Sequence, residues 1–166
     1  MNHSAEQVPV DPTNPTFFER WVSGTYLVSG VFPMERNKLT VQEMKSDIPL
    51  LYSSLKLNKK ARWPKGICGY YVIPLYIADS FDNDVVNWVH TLHKYRWAIW
   101  HEPVLYCKVD NTAHHRNDYG LYGRNFRPDL FSILRKALTA VSNRFNFKFP
   151  DQINGLKSNH SSVSSN

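Results

Sequence analysis

The sequence contains one compact acid–base pair in an apolar stretch, His101 followed by Glu102. A histidine beside a carboxylate can position a proton and a nearby arginine can hold an anion, which is the minimum for hydrolytic or phosphoryl-transfer chemistry. A hairpin would bring Arg127 to this pair, so His101, Glu102 and Arg127 are the candidate catalytic residues. The alternative, which we favour, is an ion pair of Glu102 with Arg127 or Arg124 at a bend in a sheet, because neighbouring strand residues point to opposite faces.

Positive charge is concentrated in residues 56–65, the basic segment, which holds five cations and no acidic residue. Its candidate binding residues are Lys59, Lys60, Arg62 and Trp63. Cations next to an aromatic side chain are typical of surfaces that hold phosphates and stack on a base or a sugar. The alternative, favoured because short basic loops are common, is a solvated connection that binds nothing.

A predicted hairpin supplies a second candidate binding surface. If strands over 97–109 and 119–126 pair around a polar loop at 110–118, alternate residues of both strands share one face. The aromatic and cationic residues of that face are Tyr106, Lys108, Tyr122 and Arg124. An open face of this kind stacks on and neutralises an anionic or aromatic ligand. The alternative is that a helix covers the face and the tyrosines are core residues.

No spacing predicts a metal site or a cofactor. One pair of histidines, on a predicted helix, lacks the carboxylate of a zinc-protease helix, and a second pair lies in a polar loop, where adjacent histidines are more often exposed to solvent. Three acids are explained by helix capping and the helix dipole. These residues are His90, His93, His114, His115, Asp79, Asp82 and Asp84. The chain has no glycine-rich phosphate loop and no serine-hydrolase elbow. Cys68 and Cys107 lie in apolar stretches and are predicted to be core residues.

The strands that must position these residues are predicted from β-branched and aromatic runs. One strand is predicted at 25–32, after a short helical turn at 17–21. A second is predicted at 67–77, where Pro74 demands an edge position or a bulge because it lacks an N–H.

Three helices are predicted. Thr40 and Glu43 form a capping-box pattern at the start of a helix over 40–55, which Pro49 is expected to kink or divide in two. A second helix follows the acids near residue 82, and a third begins at Pro128. The apolar stripe of the third helix consists of Leu130, Ile133, Leu134, Ala137, Leu138, Val141 and Phe145.

These elements, in the order β-α-β-α-β-β-α, predict an α+β fold. We expect a single domain with a mixed, mostly antiparallel sheet and about three helices packed on it. The chain has 166 residues, of which 42% are hydrophobic, and this suffices for one compact domain. The domain is expected to span 15–155, between a polar tail at 1–14 and a serine-rich tail at 156–166.

A net charge of +6 and a pI near 9.3 favour an anionic partner. Without a signal-peptide pattern or an apolar run near ~18 residues, we expect a cytoplasmic protein that does not bind membranes. The favoured function is a non-enzymatic binding module of inhibitor, immunity or adaptor type, whose hairpin face and basic segment engage an acidic protein. The alternatives are a nucleic-acid-binding protein and, third, a small hydrolase or phosphoryl-transfer enzyme centred on His101 and Glu102.

Overall fold

A computed structural model of the chain describes residues 15–22, 25–58, 67–91 and 99–116 and part of a third helix. The strands are β1 (Thr16–Val22), β2 (Thr25–Glu35), β3 (Ile67–Ala78), β4 (Ile99–His101), β5 (Val104–Cys107) and β6 (Thr112–His114). The first two helices are α1 (Val41–Asn58) and α2 (Asn83–His90). The third, α3, is described at positions 132, 135, 136, 138–140, 142 and 143. Both predicted tails lie outside the described residues.

The six strands form one mixed sheet in the order β1-β2-β3-β5-β6, with β4 also paired to β3. Only the two outer pairs, β1 with β2 and β5 with β6, are antiparallel. The central pairs of β3 with β2, β4 and β5 are parallel. The predicted α+β fold with a mixed sheet is confirmed, but the prediction of mostly antiparallel pairing was wrong. Helical crossovers through α1 and α2 return the chain to the same end of the sheet, which makes successive strands parallel.

The first strand replaces the helical turn predicted at 17–21. β1 pairs with β2 along its whole length, from Thr16 opposite Val31 to Val22 opposite Thr25. Phe17 and Phe18 are therefore directed to opposite faces of the sheet, where each packs against a different hydrophobic cluster. Pairing with a neighbouring strand outweighs the weak local preference of this short segment for a helical turn.

The start of α1 is built as its capping-box pattern predicts. The backbone N–H of Thr40 donates to Glu43 Oε2 at 2.7 Å, and the N–H of Glu43 donates to Thr40 Oγ1 at 3.2 Å. The helix then continues without interruption through Pro49 to Asn58, so the prediction of two short helices was wrong. Pro49 is exposed, which places its ring on the solvent side of the helix.

Separate hydrophobic clusters cover the two faces of the sheet. On one face, α1 and α2 contribute Met44, Leu51, Leu55, Val85 and Val89. On the other face, Leu138 of α3 packs with Val31, Ile73, Val104 and Tyr106. Leu138 belongs to the predicted stripe of this helix, whose predicted outer residues Arg135, Lys136, Thr139 and Asn143 are exposed. Helices thus lie on both faces, and none that the structure describes is long and apolar enough to cross a membrane.

Pro74 lies in the central strand, so the predicted edge position was wrong. The oxygens of Val72 and Ala78 accept hydrogen bonds from the N–H groups of Glu102 and Lys108 at 2.9 and 2.8 Å. Because alternate residues of a strand face the same neighbour, Pro74 also faces this side. The register continues unchanged from β4 to β5, without a bulge, and aligns Pro74 with Pro103. The missing N–H of Pro74 therefore falls where the chain passes between β4 and β5.

The hairpin after β5 turns earlier than predicted. Leu105 pairs with His114 and Cys107 with Thr112, so the turn occupies 108–111. Asn111 adopts a positive φ of 51° there, a conformation that asparagine tolerates better than most residues. The predicted pairing of Leu105 with a strand at 119–126 was therefore wrong. That segment lies outside the described residues.

Candidate functional site

The structure describes two of the predicted binding residues, and both make internal contacts. The side chain of Tyr106 is 4% exposed, and its hydroxyl donates to Asn111 Oδ1 at 2.9 Å. Lys108 is exposed, and its Nζ lies 3.2 Å from Asp79 Oδ1 and 3.8 Å from Glu35 Oε1. Tyr106 therefore packs in the core. The remaining predicted binding residues, Lys59, Lys60, Arg62, Trp63, Tyr122 and Arg124, lie outside the described residues.

The structure does not join the candidate catalytic residues His101 and Glu102. The register aligns His101 with Val72, on the face covered by α1 and α2, and directs Glu102 to the opposite face. Arg127 lies outside the described residues. Glu102 instead meets His115, whose Nδ1 is 3.8 Å from Glu102 Oε1. Sequence reasoning missed this pair because it assigned His115 to a polar loop, whereas the hairpin places it diagonally across from Glu102.

Three polar residues near this contact are almost completely enclosed. Glu102, His115 and Arg116, the interior polar residues, are 1%, 0% and 1% exposed. Burying ionisable groups costs free energy unless they are paired, so such residues belong either to an active site or to a structural network. A substrate cannot reach groups at this depth while the fold stays closed, which favours the structural role.

The carboxyl ends of the parallel strands form a polar edge. Lys108 follows β5 and bridges Asp79 and Glu35, which follow β3 and end β2. The hydrogen bond and the negative charge of Asp79 raise the pKa of Lys108, which keeps the bridge ionised. Strand ends of this kind often hold ligands in α/β sheets, but here both acids already pair with one ammonium group. Among the residues that the structure describes, no three His, Cys, Asp or Glu side chains form a metal-binding group.

The inner side of α1 carries a second polar contact. Asp47 accepts a hydrogen bond from the Tyr76 hydroxyl at 3.1 Å and lies 3.5 Å from Arg36 Nη2. Burial raises the pKa of Asp47, while the charge of Arg36 and the Tyr76 hydrogen bond oppose the shift. Burial and the charge of Asp47 also raise the pKa of Tyr76 well above its usual 10.0. This network ties α1 to β3.

The outer side of α1 carries two of the three large hydrophobic side chains that are exposed among the described residues. Leu50 and Leu57 are 62% and 78% exposed and lie seven residues apart, which places them on one face two turns apart. Between them the Ser53 hydroxyl donates to the Pro49 carbonyl at 2.9 Å, so it is already satisfied within the helix. The Ser46 hydroxyl likewise donates to the Gln42 carbonyl. A partner can therefore cover this side of α1 without having to supply hydrogen bonds to these two hydroxyls.

Positive charge lies on the other flank of the exposed side of α1. Lys45 and Lys56 are exposed and lie eleven residues, or about three turns, apart, at about 100–140° around the helix from the leucines. We call Leu50, Leu57, Lys45 and Lys56 the α1 outer face. The nearest acids are otherwise engaged, since Asp47 points inward and Glu43 caps the helix. The sequence does contain a signal for this face, because Leu50 and Leu57 are seven residues apart and lie away from the buried side chains. The helix was predicted only from its buried apolar stripe, so the two leucines were not considered.

Comparison of the chain with protein-family models, with curated proteins and with solved structures finds no match.

Proposed function

We propose that this protein is a non-enzymatic binding module, of inhibitor, immunity or adaptor type, that engages an acidic partner protein through the α1 outer face. The observation that carries the proposal is the exposure of Leu50 and Leu57 on one helix face, with Lys45 and Lys56 on the other flank of the same exposed side. Large apolar side chains gain free energy when a partner removes them from water. Two on one face of a rigid helix form a preformed anchor.

The charges on the exposed side of α1 and in the segment after it support an acidic partner. From Ile48 to Ala78 the sequence contains no acidic residue, and the basic segment begins with Lys56 at the end of α1. A partner with carboxylates around apolar anchors would be attracted to this surface and would bury Leu50 and Leu57. An acidic amphipathic segment of a protein meets both requirements.

The burial of the acid–base residues supports binding over catalysis. Glu102 and His115 lie in the interior, 1% and 0% exposed, where a ligand in solvent does not reach them while the fold stays closed. The α1 outer face consists of two leucines and two lysines and contains no acid–base pair. A surface with apolar anchors and fixed charge is suited to recognition.

Selection from a displayed library of random peptides tests this proposal. Peptides of about 20 residues are long enough to follow α1 along its length. We expect the wild-type protein to enrich peptides that combine Asp and Glu with Leu or Phe. The matched variants are Leu50→Ser with Leu57→Ser, which removes the anchors, and Lys45→Glu with Lys56→Glu, which reverses the charge.

The enriched peptides should bind each double variant at least about tenfold more weakly, which corresponds to about 1.4 kcal/mol. Equal binding to wild type and both variants would overturn the proposal. Labelled single-stranded and double-stranded oligonucleotides, tested at low and at physiological salt, provide the second arm. Tight oligonucleotide binding whose affinity falls steeply with salt, and is the same in the leucine variant as in the wild type, would indicate that the partner is nucleic acid and not a protein.

A further inference from the structure

Two histidines from different elements meet at the edge of the sheet. His90 ends α2 and His114 ends β6, and their ring centres are 5.7 Å apart with ring planes at 83°. Both side chains are half-buried. Their elements are anchored independently, because Val89 and Ala113 beside them are fully buried. The two imidazoles are therefore held close by the core and not by chance contact of flexible chains.

Both rings are suited to bind a cation. An imidazole nitrogen that carries no proton has a lone pair that can ligate a metal ion. Nδ1 of His90 is buried, and no residue that the structure describes donates or accepts a hydrogen bond there. His90 also lies in the last turn of α2, where the helix dipole favours positive charge.

The separation of the rings matches two ligands of one ion. A metal ion lies about 2.0–2.1 Å from a ligating imidazole nitrogen and so about 3 Å from the ring centre, which puts two rings at tetrahedral geometry about 5 Å apart. The observed 5.7 Å requires a shift of less than about 1 Å and a ring rotation, which is soft for histidine.

We propose that His90 and His114 form a two-imidazole site for a divalent transition-metal ion, Zn²⁺ or Cu²⁺. Imidazole nitrogen suits both ions. No third His, Cys, Asp or Glu of the described residues joins the pair, so water completes the coordination and the ion exchanges readily. The site lies on α2 and β6, away from the α1 outer face, and does not depend on the proposed binding function.

Titration of the metal-free protein with Zn²⁺ by calorimetry and with Cu²⁺ by electron paramagnetic resonance tests the site. We expect about one ion per chain and a Cu²⁺ spectrum with nitrogen hyperfine splitting. His90→Gln and His114→Gln should each weaken binding at least about tenfold, since loss of even an outer-shell partner costs 10–100-fold. His101→Gln, a half-buried histidine elsewhere on the sheet, is the matched control and should leave binding unchanged.

The pH dependence of binding provides an independent readout. Protons compete for the same nitrogens, so affinity should fall as the pH is lowered. Asp110, His115 and His90 are the charged or titratable groups that act on His114. Binding that persists in both histidine variants, with folding verified by circular dichroism, would overturn the proposal. So would the absence of any nitrogen-coordinated Cu²⁺ signal in the wild-type protein.

Discussion

The interior polar residues and the α1 outer face invert the usual distribution of side chains. Glu102, His115 and Arg116 carry the chemistry that a search for catalytic residues would select, yet they are buried. Leu50 and Leu57 have no reactive or polar groups in their side chains, yet they are exposed. Buried polar groups and exposed large apolar groups are the informative departures in a folded protein. The comparison teaches that residue type alone does not locate a binding site, because solvent access decides which groups a partner can touch.

The two regions also differ in what their residues do for stability. A buried carboxylate must be compensated by its surroundings, so removing it disturbs the fold. An exposed leucine contributes little to the free energy of folding and more to association. Substitutions in the two regions should therefore separate into effects on stability and effects on binding.

The largest expected effect is that of Glu102→Ala. Losing one partner of a buried ionisable contact costs up to about 3–5 kcal/mol when the group left behind is charged, and we expect the free energy of unfolding to fall by an amount of this order. Urea denaturation measures it, with Glu35→Ala as the control because the Glu35 side chain is 68% exposed. Should Glu102→Ala not fold, Glu102→Gln gives the same direction with a smaller loss. Unchanged stability in both variants would contradict a structural role for this carboxylate.

Leu50 and Leu51 are neighbours in α1, so they allow an exposed and a buried leucine to be compared within a single helix. Leu51 is buried in the cluster beneath α1, and Leu51→Ala should lower the free energy of unfolding by about 2–5 kcal/mol. Leu50→Ala should change it by less than about 0.5 kcal/mol and instead weaken peptide binding. Thermal unfolding and peptide titration of both variants provide the check. If Leu50→Ala left binding intact and lowered stability, the roles assigned to the two sides of the helix would be reversed.

The smallest expected effect concerns Asp47, on the inner side of α1. Because burial raises its pKa above 3.8, the native state holds this proton more tightly than the unfolded state. The contribution of Asp47 to stability should therefore decrease as the pH rises from 3.8 through the raised pKa. Asp47→Asn removes the titration, so the stability of wild type relative to this variant should fall over that interval, by less than about 1.4 kcal/mol per pH unit. Denaturation at a series of pH values measures the difference, and a rise would contradict the sign of the shift.

Local signals in the sequence predicted much of the fold. The capping box at Thr40 and Glu43 acts within one turn, so its prediction did not depend on the rest of the chain. The strands β2 and β3 also followed from continuous β-branched and aromatic runs. In contrast, β6 has only Ala113 as an apolar residue and is specified by its partner β5.

The candidate site was less predictable than the fold. The pairing of Glu102 with His115 depends on a hairpin turn at 108–111, and a shift in that turn sends every side chain to a different neighbour. The opposite placement of His101 and Glu102 followed from strand alternation and was anticipated. Leu50 was overlooked because exposure is a property of what packs around a helix and not of the helix pattern alone.

The sequence by itself determined where α1 begins, which of its stripes is buried, and that a sheet carries helices. These features depend on residues close in the chain, whose interactions exist in any context. Only the tertiary structure decided that β3 is central and parallel to its neighbours, that Pro74 faces the passage from β4 to β5, and that Glu102 meets His115. These features depend on contacts between distant residues, and their free energy exists only once the neighbouring strands and helices are in place.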